Sequence, residues 1–218
     1  MDKANVLQRI SEVGVVQVVR ASSPEEAVLA VEAIKAGGLA ILEITMTVPG
    51  AIKVIEELAK RYGDDTLVGA GTVLDPETAQ ACIDAGAAFI VSPSLNIPTI
   101  ELCAARSIPI FPGSLTPTEV VTAWQAGADA VKIFPCGAVG GAKYLSSLKA
   151  PLPQVKMIPT GGISLNTAAS FIEAGAFALG IGADLVDVKA IRAGEPEKVT
   201  AAARAYLEIV KKAREALG

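Results

Sequence analysis

Short β-branched, apolar runs alternate along the chain with longer stretches in which alanine, glutamate and apolar residues recur at helical spacing. Eight runs read as strands: Val15–Val19, Ala40–Thr45, Leu67–Gly71, Ala88–Ser92, Ile108–Phe111, Ala130–Phe134, Lys156–Thr160 and Ala178–Gly182. The segments between them carry helix signals. Ser23–Ala36 opens on a capping serine with Glu25 and Glu26 in its first turn, and Pro76–Ala85 follows Asp75 as its cap. Strands alternating with helices predict right-handed βαβ units and a parallel sheet.

Four helix-to-strand junctions share one punctuation: Ala36-Gly37-Gly38, Ala85-Gly86-Ala87, Ala126-Gly127-Ala128 and Ala174-Gly175-Ala176. Glycine there supplies the left-handed conformation that ends a helix. The marks recur every 40 to 50 residues or so, two βα units per period. The expected fold is therefore α/β, a (β/α)8 TIM barrel, with a doubly wound open sheet as the alternative. An additional N-terminal helix, Asp2–Val13, is expected to cover the barrel's bottom, and Glu197–Leu217 to pack outside it through Ala201, Ala205, Leu207 and Val210. No linker or low-complexity tract interrupts the pattern, so residues 1–218 read as a single domain.

Composition narrows the chemistry. A hydrophobic share of 51% over 218 residues provides ample core, and the net charge of -4 offers no electrostatic footprint for nucleic acid or an anionic membrane. No apolar run reaches the length of a membrane span, and the first residues lack the apolar core of a signal peptide. Cys82, Cys103 and Cys136 are odd in number and unpatterned, which predicts reduced thiols and a cytoplasmic location. The chain contains no histidine. That removes Ser-His-Asp and Cys-His catalysis and every imidazole metal site, and three cysteines without a CxxC pair do not build one. Neither a metal nor a cofactor is expected. Lysine, carboxylate, hydroxyl and backbone groups remain.

In a barrel of this kind catalytic groups occupy the C-terminal ends of strands. Alternation puts Ala130, Lys132 and Phe134 on one face of their strand, and Ile41, Glu43 and Thr45 on one face of theirs. Lys132 has two bland readings, a lysine whose head snorkels to solvent or half of a structural ion pair with Glu43. Its chemical reading is a desolvated amine, hence a nucleophile able to form a Schiff base. Position near the strand ends favours the chemical reading for both residues. Glycines supply a second element. Pro159-Thr160-Gly161-Gly162-Ile163-Ser164 follows the seventh predicted strand and Gly180-Ile181-Gly182-Ala183-Asp184 ends the eighth. Side-chain-free backbone at these two places is the recurrent phosphate site of such barrels, although glycines also mark plain turns. Gly69-Ala70-Gly71-Thr72 brings a hydroxyl to the same rim. An inward lysine, an inward glutamate and a phosphate cradle together point to imine chemistry on a phosphorylated keto compound, the glutamate moving protons.

The chain resembles the family of 2-keto-3-deoxy-6-phosphogluconate (KDPG) and 4-hydroxy-2-oxoglutarate (KHG) aldolases over nearly its whole length. The resemblance is carried by Leu42-Glu43-Ile44-Thr45, Val68–Leu74, Ile90-Val91-Ser92-Pro93, Phe111-Pro112-Gly113 and Thr116-Pro117-Thr118-Glu119, and above all by Val131-Lys132-Ile133-Phe134-Pro135 and Pro159–Ile163. It implies that Lys132 forms the Schiff base and Glu43 is the general acid and base. Thr72 and Thr160 then contact the pyruvyl part, and Pro93 and Phe134 shape the pocket. Gly161, Gly162, Gly182 and the Ala183 amide take the phosphate, and Arg20 binds the substrate carboxylate or the phosphate. A small keto-acid substrate and a homotrimer are implied as well. Two positions depart from the family pattern. Thr47 stands where some members carry a carboxylate-binding arginine, and Ala183 stands where a serine often follows the last glycine. The aldehyde half of the substrate, and the gluconate or galactonate configuration, therefore stay open. Two rival readings are a phosphate-binding barrel isomerase working without a covalent intermediate, and a catalytically silent oligomeric barrel.

Overall fold

The computed structural model describes residues 1–218. Its strands form mostly where β-branched and apolar residues predominate: Val15–Val19 (β1), Ile41–Thr45 (β2), Leu67–Gly71 (β3), Ile90–Val91 (β4), Ile110–Phe111 (β5), Gly113–Ser114 (β6), Val131–Ile133 (β7), Met157–Pro159 (β8) and Leu179–Ile181 (β9). Burial of every residue in these strands matches a parallel sheet covered on both sides. The helices are Lys3–Val13 (α1), Pro24–Ala36 (α2), Ala51–Tyr62 (α3), Pro76–Asp84 (α4), Ile97–Ala105 (α5), Pro117–Gln125 (α6), Gly141–Lys149 (α7), Ala168–Glu173 (α8), Val188–Arg192 (α9) and Pro196–Glu215 (α10).

The predicted helix starts hold in detail. Ser23 accepts a hydrogen bond from the Glu26 amide at the head of α2, and Asp75 accepts one from the Thr78 amide at the head of α4. At the other ends, Gly38, Gly86, Gly127 and Gly175 all have positive φ, as the repeated glycine mark requires.

All strand pairs are parallel, in a six-stranded curled sheet of order β5-β4-β3-β2-β1-β9 and a three-stranded sheet of order β6-β7-β8. Nine ladder segments replace the eight predicted runs. The additional one, β6, lies beyond the fifth predicted run, which ended at Phe111: Pro112, lacking an N–H, interrupts the ladder between β5 and β6, although its carbonyl still accepts from the Lys132 amide at 3.0 Å. On the other side, Thr160 bridges Gly180 in parallel, linking the end of β8 to β9.

Two apolar layers result. A cluster of 49 buried residues lies between strands and helices. A cluster of 11 lies inside the curl and takes Val16, Ile41, Leu67, Phe89, Val91, Phe111, Ala130, Ile158 and Ala178 from successive strand segments, with Val6 and Ile10 from α1. All three cysteines are free and buried, and burial pushes the thiols of Cys82 and Cys136 up to about 11 and that of Cys103 to about 12. No helix is long and apolar enough to cross a membrane.

Candidate active site

Alternation along β7 sends Val131 and Ile133 into the outer layer and turns Ala130, Lys132 and Phe134 inward. On β2, Leu42 and Ile44 face outward while Ile41 and Glu43 face in. The two charged side chains meet in the interior. Lys132 Nζ lies 3.9 Å from Glu43 Oε1, with the side chains 5% and 3% exposed, too little for the lysine head to snorkel to water. At that separation the charges attract but make no hydrogen bond, and Glu43 Oε1 has no hydrogen-bond partner at all. A buried carboxylate oxygen without a donor is costly in a structural pair; aimed at a buried amine, it leaves the pair open to a third group. The Phe134 ring completes the lysine's surroundings, its centroid 5.2 Å from Nζ.

A narrow interior gap bordered by Glu43, Lys132, Thr160 and Gly180 runs beside a pocket of about 380 Å³ at the C-terminal ends of the strands. Thr160 and Gly180 border both spaces, and Phe134, Arg20 and the glycine loops line the pocket. Gly161 and Gly162 both adopt positive φ, 85° and 78°, a conformation open to few other residues. Their amides donate to no other backbone group, and neither do those of Ala183 and Asp184. Free N–H groups along a pocket wall suit an anion. Arg20 reaches over the same wall: its Nη1 is 3.6 Å from where a Cβ on Gly182 would lie.

Nine of the eleven residues singled out by sequence thus border these two spaces: Arg20, Glu43, Lys132, Phe134, Thr160, Gly161, Gly162, Gly182 and Ala183. Thr72 and Pro93 do not; they stand at the rim. Thr72 follows β3 with φ 59°, a strained conformation for a β-branched residue, and Pro93 lies so close to Gly113 that a Cβ there would fall 2.2 Å from the Pro93 carbonyl. Thr47 is exposed and shares a 2.7 Å hydrogen bond with Thr45, whose hydroxyl also reaches Val19 O.

Three residues that the sequence reading quoted only within the glycine motifs have roles of their own. A Cβ on Gly71 would fall 1.9 Å from Glu43 Oε1, and one on Gly180 would fall 2.1 Å from Thr160 Oγ1, so these two glycines hold space for site side chains. Asp184 lines the pocket and accepts a hydrogen bond from the buried Tyr206 hydroxyl. An inward-facing glycine opposite a polar strand residue is the one signal available in the sequence for the first two. A wider cleft of about 470 Å³ opens at the opposite end, bordered by Val6, Thr66, Leu67 and Pro109, and touches none of the predicted residues.

A buried lysine and glutamate facing each other inside a curled parallel sheet, beside a pocket at the strand ends, place the protein among enzymes whose chemistry runs through an amine. The family profile described as KDPG and KHG aldolase matches residues 6–202. The chain is 35% identical to the 2-dehydro-3-deoxy-phosphogluconate aldolase of Treponema pallidum, over 94% of this chain and 97% of that one. It is also 35% identical to the 2-dehydro-3-deoxy-6-phosphogalactonate aldolase of Escherichia coli, over 94% and 100%. Among solved structures, the KDPG aldolase of Legionella pneumophila, with pyruvate captured as a covalent carbinolamine intermediate, superposes with a TM-score of 0.83 at 30% identity, covering 94% of this chain and 98% of that one. The chain belongs to the KDPG/KHG aldolase family and is a carbon–carbon lyase of the lysine Schiff-base type.

Proposed function

We propose that this enzyme cleaves 2-keto-3-deoxy-6-phosphogluconate to pyruvate and glyceraldehyde 3-phosphate, and 4-hydroxy-2-oxoglutarate to pyruvate and glyoxylate, through an imine on Lys132. The observation that carries the reading is the buried 3.9 Å approach of Lys132 Nζ to a partnerless Glu43 oxygen. The neutral amine adds to the substrate C2 carbonyl to give a carbinolamine. Proton transfer through Glu43 expels water and leaves the protonated imine. Loss of the C4 hydroxyl proton breaks the C3–C4 bond, the aldehyde departs, and the bonding pair is held as an enamine. Reprotonation at C3 and hydrolysis return pyruvate and free lysine. Thr160 beside the gap suits the pyruvyl end, with Thr72, Pro93 and Phe134 shaping its surroundings. Gly161, Gly162, Gly182 and Ala183 receive the phosphate, and the reach of Arg20 over Gly182 supports a role at that end over one at the carboxylate.

We read the whole chain, residues 1–218, as one aldolase domain whose two sheets close into a (β/α)8 barrel. Continuity through Pro112 and the Thr160–Gly180 bridge support closure, and Val6 and Ile10 inside the inner cluster support α1 as the plug at the bottom. Assembly as a homotrimer in the cytoplasm follows from the family resemblance. Similarity of the galactonate aldolase, equal to that of the gluconate enzyme, keeps the C4 epimer as a second substrate. The test is pyruvate release from KDPG, KHG and the galactonate epimer. Lys132→Ala should abolish release from all three, and Glu43→Gln should lower kcat by about 10²- to 10⁴-fold. Release from KDPG by Lys132→Ala at the unmodified rate would overturn the assignment.

A further inference from the structure

Gln17 is the central residue of β1, where all five positions are buried. Val16 joins the inner cluster and Val18 borders the pocket, while Val15 and Val19 lie in the outer layer. Alternation therefore places Gln17 outward, beneath the helices. A primary amide with no exposure stands in an otherwise apolar layer. Such a group is unfavourable unless its hydrogen bonds offset the lost hydration.

Its Nε2 donates to Val18 O at 2.9 Å and to Gly182 O at 3.2 Å. Two carbonyl acceptors settle which end of the amide faces them, since the reverse orientation would crowd three oxygens together. The amide oxygen has no partner, so the side chain is not there for the best internal fit. The ladder between β1 and β9 ends at the pair Gln17–Ile181. The Gln17 side chain continues the connection one residue further, where the strands part and the glycine loop begins.

Gly182 O accepts from the Leu185 and Val186 amides as well, at 3.2 and 3.3 Å. In a planar trans peptide the C=O and the following N–H point in opposite directions. With the Gly182 oxygen held on the outer side by three donors, the Ala183 N–H is turned towards the pocket, where it has no backbone acceptor. Gln17 is the one of those donors that comes from outside the loop.

We propose that Gln17 is a positioning residue for the phosphate end of the substrate: its amide locks the Gly182–Ala183 peptide so that the Ala183 N–H faces the anion. The proposal rests on the reading of the two glycine loops as the phosphate cradle. Phosphate held this way is bound equally in the ground and transition states, so loosening the peptide raises KM and spares kcat.

The experiment compares Gln17→Leu, and Gln17→Met should the branched side chain not pack, on a phosphorylated and a non-phosphorylated substrate. Expected is a rise in KM for KDPG of about tenfold, the scale of one hydrogen bond to a charged group. The kcat for KDPG, kcat/KM for 4-hydroxy-2-oxoglutarate and the melting temperature should stay at their unmodified values. Inorganic phosphate, competitive against KDPG in the unmodified enzyme, should inhibit the variant about tenfold more weakly. An equal change for both substrates, or an unchanged KM for KDPG, would overturn the role of Gln17 while leaving the cradle standing. Failure of inorganic phosphate to compete in the unmodified enzyme would overturn the cradle, and Gln17's role with it.

Discussion

Gly71 makes the room that Glu43 occupies: a Cβ at position 71 would lie 1.9 Å from Oε1 and 2.5 Å from Cδ and Cγ of that glutamate. No methyl group fits unless the carboxylate moves, and its present position is the one that faces Lys132. Gly71→Ala is therefore expected to lower kcat by about 100-fold, the cost of roughly an ångström of misplacement at a catalytic group. Steady-state kinetics alongside a thermal melt check this, because the folded fraction should stay complete at the assay temperature. An alanine variant with full kcat would mean that Glu43 need not sit where it does.

Ala183 presents a methyl group, not a hydroxyl, to the proposed phosphate pocket. Its side chain is exposed at the pocket wall, so a serine can be accommodated without repacking. Ala183→Ser should lower KM for KDPG by about tenfold through one added hydrogen bond to a charged oxygen. The same change should leave 4-hydroxy-2-oxoglutarate turnover untouched. Parallel KM determinations on the two substrates separate this from a general effect on the site.

Glu26, at the head of α2, ties that helix to α9 beyond the glycine loop. It accepts from Arg192 and from the amide and hydroxyl of Ser22, the last two at 2.6 and 2.9 Å. The Arg192 hydrogen bond, aided by those from Ser22 and opposed by burial, holds its carboxyl down at about 2 from an ordinary 4.5. A depressed folded value means stabilisation that is complete above about 4.5 and lost as pH falls towards about 2. Melting temperature followed from neutral pH down through that window should fall more steeply for the unmodified protein than for Arg192→Met. Curves of equal slope would show that the pair contributes nothing to acid stability.

Much of the site was legible in the chain because its chemistry violates local rules. Lys132 and Glu43 stand out as charges in strands whose neighbours are all apolar, and the Gly161-Gly162 and Gly182 clusters fall where parallel strands end. The helix caps at Ser23 and Asp75 were legible for the same local reason. Relationships across the sheet were not. Gly71 and Gly180 matter through neighbours on adjoining strands, and Gln17 acts on Gly182, 165 residues away. Gln17 also defeats pattern reading, because an outward polar residue on a strand looks like ordinary alternation until helices are known to cover it. The fifth predicted run, Ile108–Phe111, missed a segment: Ile110–Phe111 pairs as β5, and Gly113–Ser114 (β6) follows beyond Pro112, whose missing N–H interrupts pairing without ending the strand's direction.

Borohydride trapping reads out whether Lys132 becomes covalently bonded to the substrate's carbonyl carbon. The enzyme is incubated with pyruvate and borohydride, digested, and mapped by mass spectrometry. The expected result is a single reduced pyruvyl adduct on the peptide carrying Lys132, dependent on pyruvate and absent from Lys132→Ala. An unmodified Lys132 under conditions of full activity, or an adduct on another lysine, would contradict it.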